Sequence, residues 1–472
     1  MNVRSVSKYT LLLIIFSVFY LAFFFIFKEY KEIYGAGLAF LILLTFFSFL
    51  KPYWSLLICI GSIPLYHYLK IEVGIPTFTI YDVLVMILFV VFMIDLLSHK
   101  IHFKLYTFDY LIILWVLINV LGLFHNLYEP ISTLNDFRYR FAVPIALYFL
   151  IRSYVDNYQK LHYFLVVQLL SISIMAFFGI IEFIQTGERI KTLIQATLAS
   201  SLFFSWGILL SYYFWKNPDV FKARFLAIIC FMINSLALIF TFPRVIFFSL
   251  IVISLFFKMG LLRIKKEILI IFLLIFSTTL PFIIVHTSTK ILNRFHQNKV
   301  FRSQIYPQHG NNNMPIEKSP KRLIEKDFYV ESIAGRVLNW STMINTLKKH
   351  FLFGAGYSIF IYLHTNNLIT LFHAHNISLD ILLRTGIIGL FVFAMLLICY
   401  TNTWERIYRN VLNNKKYKTF LNICLFELVL ILLNGLTNNI ITIFTCSLFW
   451  CIIGLSLTIM GFAKNELYTV KI

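Results

Sequence analysis

The chain has 472 residues, of which 60% are hydrophobic, 18% aromatic and only 13% charged, about half the charged share of an ordinary soluble domain. That excludes a soluble globular protein, and the 52 Phe spread along the chain exclude disorder, collagen, a coiled coil and a secreted disulfide scaffold. The 41 basic and 21 acidic residues leave a net charge of +20, so the placement of the cations becomes informative.

A span needs roughly 20 apolar residues to cross about 30 Å of hydrocarbon, where only a helix satisfies its own backbone. Fourteen runs qualify, at 9–27, 34–50, 53–69, 80–97, 110–127, 138–154, 162–184, 193–214, 225–242, 244–257, 268–285, 376–400, 420–438 and 440–461. Three pairs (34–50/53–69, 225–242/244–257 and 420–438/440–461) have very short connections, so the expectation is an all-α polytopic membrane protein with about 12–14 transmembrane helices. Run 9–27 is followed by Lys28-Glu29-Tyr30 in place of a small-residue cleavage site and reads as an uncleaved first helix. With the N-terminus inside, 21 cations fall in inner segments and 8 in short outer loops, which predicts both termini in the cytoplasm.

The chain then divides into a transmembrane bundle over 1–285, a large external loop over 286–375 and further transmembrane helices over 376–472. Cysteines 59, 230, 399, 424, 446 and 451 all lie in apolar runs without a CxxC pair and read as core residues. No GxxxxGK[ST], HExxH or GxGxxG pattern occurs, so there is no sequence case for nucleotide, zinc or dinucleotide chemistry. No cofactor and no nucleic-acid partner is expected.

The external loop carries 11 basic against 4 acidic residues. A surface of +7 held against a membrane attracts anionic headgroups, phosphates or acidic glycans; simple solvation is the alternative, favoured for 299–326 with its Asn311-Asn312-Asn313 and three prolines. Farther on, Val337, Trp340, Ile344, Leu347 and Phe351 recur at spacings of 3 and 4, one apolar face of a helix, with Asn339, Asn345, Lys348 and Lys349 off that face. Phe353-Gly354-Ala355-Gly356 ends that helix, which is expected on the membrane surface or packed on the bundle. Arg336 at its start is either an anion ligand together with free backbone N–H groups or an ordinary exposed arginine. Phe372-His373-Ala374-His375-Asn376 follows at the edge of a span. Histidines at i and i+2 cannot share a helical face, which weakens a metal site, whereas histidine's ordinary pKa suits proton transfer near neutral pH.

Taken together, Gly335-Arg336, Trp340, Phe353-Gly354-Ala355-Gly356-Tyr357, His375-Asn376-Ile377-Ser378-Leu379 and Thr385-Gly386-Ile387-Ile388-Gly389-Leu390 resemble the signature of the O-antigen ligase and polymerase superfamily. Motif likeness is confined to about 335–390, and the many-helix layout with one large external loop is similar over the whole chain. The resemblance implies a metal-independent GT-C-type glycosyltransferase in the bacterial cytoplasmic (inner) membrane. Such an enzyme takes a glycan from undecaprenyl diphosphate on the outer face and joins it to an acceptor hydroxyl. It implies His375 as base or acceptor-orienting group and Arg336 as diphosphate ligand. Arg244, in Phe242-Pro243-Arg244, stands where family members carry a Ser-Arg pair, without the serine. His373, Asn376 and Trp340 complete the set expected near the substrates. Arg384 stands where relatives often have an acidic residue.

Two further sets of charges carry alternatives. Arg384 and Glu427 lie at similar depths in their runs and either pair structurally, since an intramembrane charge is costly alone, or Arg384 faces the substrate cavity. Arg138 and Arg140, with Asp136, either bind acceptor sugar or anchor a helix. The implied partners are an undecaprenyl-diphosphate-linked oligosaccharide, an acceptor glycan or lipid A-core, membrane lipids and a chain-length regulator. The leading function is an O-antigen or surface-polysaccharide polymerase, with a ligase to lipid A-core as alternative. A lipid-linked oligosaccharide flippase is the competitor from another class; alternating access usually brings inverted repeats and midplane polar sites on broken helices.

Overall fold

The computed structural model describes residues 43–63, 70–72, 77–101, 103–124, 130–190, 197–217, 224–241, 279–285, 339–365, 374, 376–411, 414–435 and 443–469. Among them run α1 (Pro52–Ser62), β1 (Lys70–Glu72), β2 (Thr77–Thr79), α2 (Ile80–Leu97), α3 (Thr107–Phe124), α4 (Pro130–Phe137), α5 (Val143–Tyr154), α6 (Tyr158–Thr186), α7 (Thr197–Lys216), α8 (Arg224–Phe240), α9 (339–349), α10 (Ile359–Thr365), α11 (Ile377–Asn410), α12 (Lys415–Gly435) and α13 (Ile443–Thr469). Five described helices, α2, α3, α6, α11 and α12, are long and apolar enough to cross a membrane, and Pro52–Ser62, Arg224–Phe240 and Thr445–Ile459 are shorter apolar stretches. The protein is an all-α polytopic membrane protein. The expected runs 9–27 and 244–257 and most of 34–50 and 268–285 lie outside the described residues, as does all of the charged loop before 339.

Three expected spans take a different form. Run 53–69 is α-helical to Ser62, its residues 64–69 lie outside the described residues, and the next described element is an antiparallel pair of three-residue strands, Lys70 opposite Thr79 and Glu72 opposite Thr77. Run 138–154 opens with a π-helical turn at Arg138–Ala142 before α5. Run 376–400 is interrupted, because Gly386 adopts φ 69°, ψ −168° inside α11. Apolar continuity, the property that located these runs, is indifferent to such local breaks.

The chain packs as two compact units, one of residues 1–102 and 146–242, the other of 103–145 and 243–472. In the first, Thr79 and Asp82 form a reciprocal capping box that starts α2: the Thr79 hydroxyl accepts from the Asp82 N–H, and the Asp82 carboxylate accepts from the Thr79 N–H at 3.1 Å. Asn157 caps α6 and Gly187, at φ 67°, ends it. Helices α6, α7 and α8 pack closely where Gly207 faces Asn234, whose Nδ2 donates to Ser173 Oγ at 2.8 Å.

In the second unit α3 lies along α11, with Trp115 between Phe141 and Phe393 and Phe108 against Tyr400. Tyr400 shares a hydrogen bond with Ser456 of α13, and the Trp404 indole donates to the Leu421 carbonyl of α12. Helix α9 buries Trp340, Ile344 and Leu347 of the expected apolar face together with Met343, while Val337 lies outside the described residues. Two positions differ from the expectation: Asn339 is buried with that face and Phe351 is exposed, because the helix ends at 349 and the chain turns.

Candidate functional site

The break in α11 is built from two glycine motifs that interlock. In a continuous helix the N–H groups of Ile387 and Ile388 would bond the carbonyls of Leu383 and Arg384. Here they donate to Phe351 and Leu352 O, at 2.9 and 3.4 Å, while Leu383 and Arg384 O accept from Ala355 and Gly356 N–H at 2.6 and 3.2 Å. The turn 351–356 therefore satisfies all four backbone groups that the break leaves open, which an apolar setting requires. Glycine is needed on both sides of the contact. A Cβ on Gly386 would stand 2.1 Å from Leu352 O, and one on Gly354 would stand 2.5 Å from the Arg384 carbonyl carbon. The next residue continues the attachment, since Tyr357 N–H donates to Gly122 O at the end of α3.

Beside this joint lies a buried charge cluster. Arg384, 3% exposed, donates from Nε to Asp380 Oδ1 at 2.6 Å and from Nη1 to Asp136 Oδ2, and Asp136 also accepts from Arg140 Nε. The guanidinium lies 4.9 Å from the Tyr357 ring centre and 4.7 Å from that of Phe360. Tyr357 in turn donates to Asn119 Oδ1 at 2.6 Å. Burial would raise the Asp136 pKa, but Arg140 and Arg384 outweigh it and hold the carboxyl below its ordinary value. Two arginines and two aspartates balance, with Arg384 and Asp380 buried and Asp136 and Arg140 half-buried at the edge of the cluster.

The anticipated Arg384–Glu427 pair is thus corrected. Glu427 is buried in α12, but the partners of Arg384 are Asp380 and Asp136. Asp380 was not singled out in the sequence, although its signal was present: Asp380 and Arg384, like Asp136 and Arg140, stand four apart on a helix. The pairing of Asp136 with Arg384 spans 248 positions and leaves no local trace. Arg384 and Arg140 also line a cavity of about 70 Å³, walled largely by aromatic and aliphatic side chains such as Trp115, Phe393 and Trp450. That volume takes a few waters and no sugar ring. Cys446, half-buried, is on its wall as well.

Of the remaining candidates, Arg138 is buried, donates to Asn135 Oδ1 at 2.7 Å and covers the Tyr139 ring at 4.2 Å. Trp340 is buried and its indole N–H donates to Ala374 O at 2.5 Å. Asn376 is buried and caps α11, its side-chain oxygen accepting from the Leu379 N–H at 2.9 Å. His375, His373, Arg336 and Arg244 lie outside the described residues. Both neighbours of His375 are described: Ala374 O accepts from the Trp340 indole, and Asn376 caps the start of α11.

The described residues thus place a paired charge cluster beside a broken helix of a polytopic membrane protein. Residues 225–394 match the family model described as O-antigen ligase. That stretch is similar to the O-antigen ligase family, and it contains positions 244, 336 and 375 together with the 351–356 turn and the Gly386 break. Comparison with curated proteins gives no match.

Proposed function

We propose that the protein is a glycosyltransferase of GT-C type that moves a glycan from undecaprenyl diphosphate to an acceptor sugar hydroxyl without a metal ion. The observation that carries this reading is the O-antigen ligase family match over 225–394, which encloses the arginines and histidine singled out for diphosphate and hydroxyl chemistry. Arg336 and Arg244 bind the diphosphate, and His375 takes the proton of the acceptor hydroxyl. Transfer from a lipid diphosphate builds negative charge on the leaving group, and fixed arginines stabilise it where it develops. The planar guanidinium suits this because it bonds phosphate through two parallel N–H groups and keeps its charge.

The charge cluster beside α11 supports a different task for Arg384. Its Nε and Nη1 are taken by two carboxylates, so its charge is balanced before any substrate arrives, and it positions the joint. The excess of cations in inner segments supports cytoplasmic termini and a site that opens outward. The partners are the lipid-linked oligosaccharide, the acceptor and membrane lipids.

Within this class the protein extends a surface polysaccharide as a polymerase, with a chain-length regulator as partner. The family description favours a second reading, a ligase that delivers the chain to lipid A-core. Deletion distinguishes them: loss of a polymerase leaves core carrying a single repeat unit, and loss of a ligase removes all surface O-antigen. A laddered profile in the deletion strain would refute both. Purified protein given the lipid-diphosphate glycan is expected to release undecaprenyl diphosphate and form a glycosidic bond without added metal. Full activity in His375→Ala would remove the base assignment, and undiminished donor binding in Arg336→Ala would remove the clamp.

A further inference from the structure

The turn that fills the break in α11 carries a feature the transfer reading does not use. Phe351, Leu352 and Phe353 are 51, 57 and 67% exposed, while every residue from Gly354 to Phe360 is buried. Three consecutive exposed large apolar residues are a liability in water and normal against lipid. Their level in the second unit can be read from the backbone. Ile388 donates to Leu352 O, and Ile388 opens the exposed apolar stripe of α11, continued by Phe391 and Met395. Before Ile388 the helix is enclosed, with Ile377 to Gly386 all buried.

A second helix gives the same level independently. Tyr357 donates to Gly122 O, and α3 still exposes Leu121 and Phe124 around that position, at the end of a stripe that includes Leu114 and Leu117. Both α3 and α11 have the length and composition of spanning helices, so their exposed stripes face lipid. The 351–353 edge is continuous with those stripes. One turn earlier, Lys348 and Lys349 are exposed at the end of α9, placed to meet lipid phosphates.

We infer that residues 351–356 form a re-entrant turn, in which Phe351, Leu352 and Phe353 contact the acyl chains of the bilayer while Lys348 and Lys349 sit at its anionic headgroups. The segment from 339 to 365 is then not purely external; it enters the membrane, meets the broken helix and leaves. The partner is the lipid bilayer itself, and the inference stands whether or not the protein transfers a glycan.

The test is collision accessibility of spin labels in full-length protein reconstituted in lipid nanodiscs, with the six native cysteines replaced by alanine. Labels enter at Phe353→Cys, at Phe391→Cys as the lipid-facing reference and at Lys349→Cys. Dissolved oxygen concentrates in the acyl region and a nickel chelate stays in water. The 353 label is expected to collide more with oxygen than with the chelate, in a ratio matching that at 391, and the 349 label is expected to show the reverse preference. A ratio at 353 matching that at 349 overturns the inference. The unmodified protein gives a second reading that needs no variant: a membrane-dissolved photoactivated carbene should modify the peptide holding 351–353, and modification of the α3 and α11 stripes without it would equally overturn the proposal.

Discussion

Gly386→Ala tests the joint most directly. The residue sits at φ 69°, ψ −168°, a region open essentially to glycine alone and costing any other residue about 1–3 kcal/mol. Its new Cβ would also lie 2.1 Å from Leu352 O and 2.5 Å from Gly354 N, so the turn must retreat by more than an ångström. Retreat on that scale lengthens the four bonds between 351–356 and 383–388, now 2.6 to 3.4 Å, beyond useful hydrogen-bond geometry, and buried backbone groups left open cost about 1–3 kcal/mol each. Even with partial relaxation the substitution should cost on the order of 3–5 kcal/mol. Gly187→Ala is the internal control. Gly187 has nearly the same φ, 67°, but no atom within 4 Å of its would-be Cβ, so it should cost only about 1–2 kcal/mol for the left-handed backbone. The assay is the unfolding midpoint of detergent-solubilised protein, followed by the monodisperse fraction after heating. Equal midpoints for the two variants would refute the interlock, because at Gly386 the clash with the inserted turn adds to a backbone cost at least as large as that at Gly187.

Other outcomes follow from the same geometry. Asp136→Asn leaves Arg384 with one carboxylate in a buried setting and should destabilise by about 3–5 kcal/mol, read as a lowered midpoint. The Asp136 carboxyl is held below its ordinary pKa, so its contribution is present at neutral pH and is lost as pH falls through the folded-state value. The midpoint gap between wild type and Asp136→Asn should therefore narrow on acidification, and a gap that widens would reverse the argument. Asn376→Ala removes the α11 cap at a cost of about 1 kcal/mol, which Asn376→Asp should restore; a midpoint series decides it. Trp340→Phe keeps the ring but deletes the bond to Ala374 O, so at saturating donor it should lower kcat several-fold and leave the donor KM unchanged if the helix positions His375.

How far the sequence alone reached depended on the range of each interaction. The membrane class and the buried face of α9 were legible because hydrophobic burial repeats with the helical period, as Trp340, Ile344 and Leu347 show. Phe351 was misplaced for the same reason, since periodicity extends a helix past the point where His350 and Gly354 begin a turn. Gly386 was legible as a motif residue, but the helix break it makes was not, because that role is set by a backbone some thirty residues earlier. Asp380 was overlooked beside a neighbour at helical spacing, and Asp136 could be matched to Arg384 only through the fold. In the site, the motif glycines and Asn376 were recognisable as a set, whereas their mutual geometry, a turn threaded into a helix break, is a tertiary property with no local code.

That geometry sorts the arginines by what their loss should do. Arg384 is held by Asp380 and Asp136 and packed between Tyr357 and Phe360, so its removal disturbs both the charge balance and the joint. Lysine at that position keeps the charge and loses the planar fork that reaches two carboxylates at once. Arg384→Lys should therefore lower the unfolding midpoint, and Arg384→Leu should lower it further by stranding Asp380 and leaving Asp136 with Arg140 alone. Arg336→Lys and Arg244→Lys carry the opposite expectation: an unchanged midpoint with transfer reduced about a hundredfold, the typical cost of losing a donor aimed at developing charge. The two readouts are measured on the same preparations, thermal midpoint and glycan transfer per folded molecule. If Arg384→Lys abolished transfer while leaving the midpoint intact, the structural assignment of the cluster would fail and Arg384 would join the residues that meet the diphosphate.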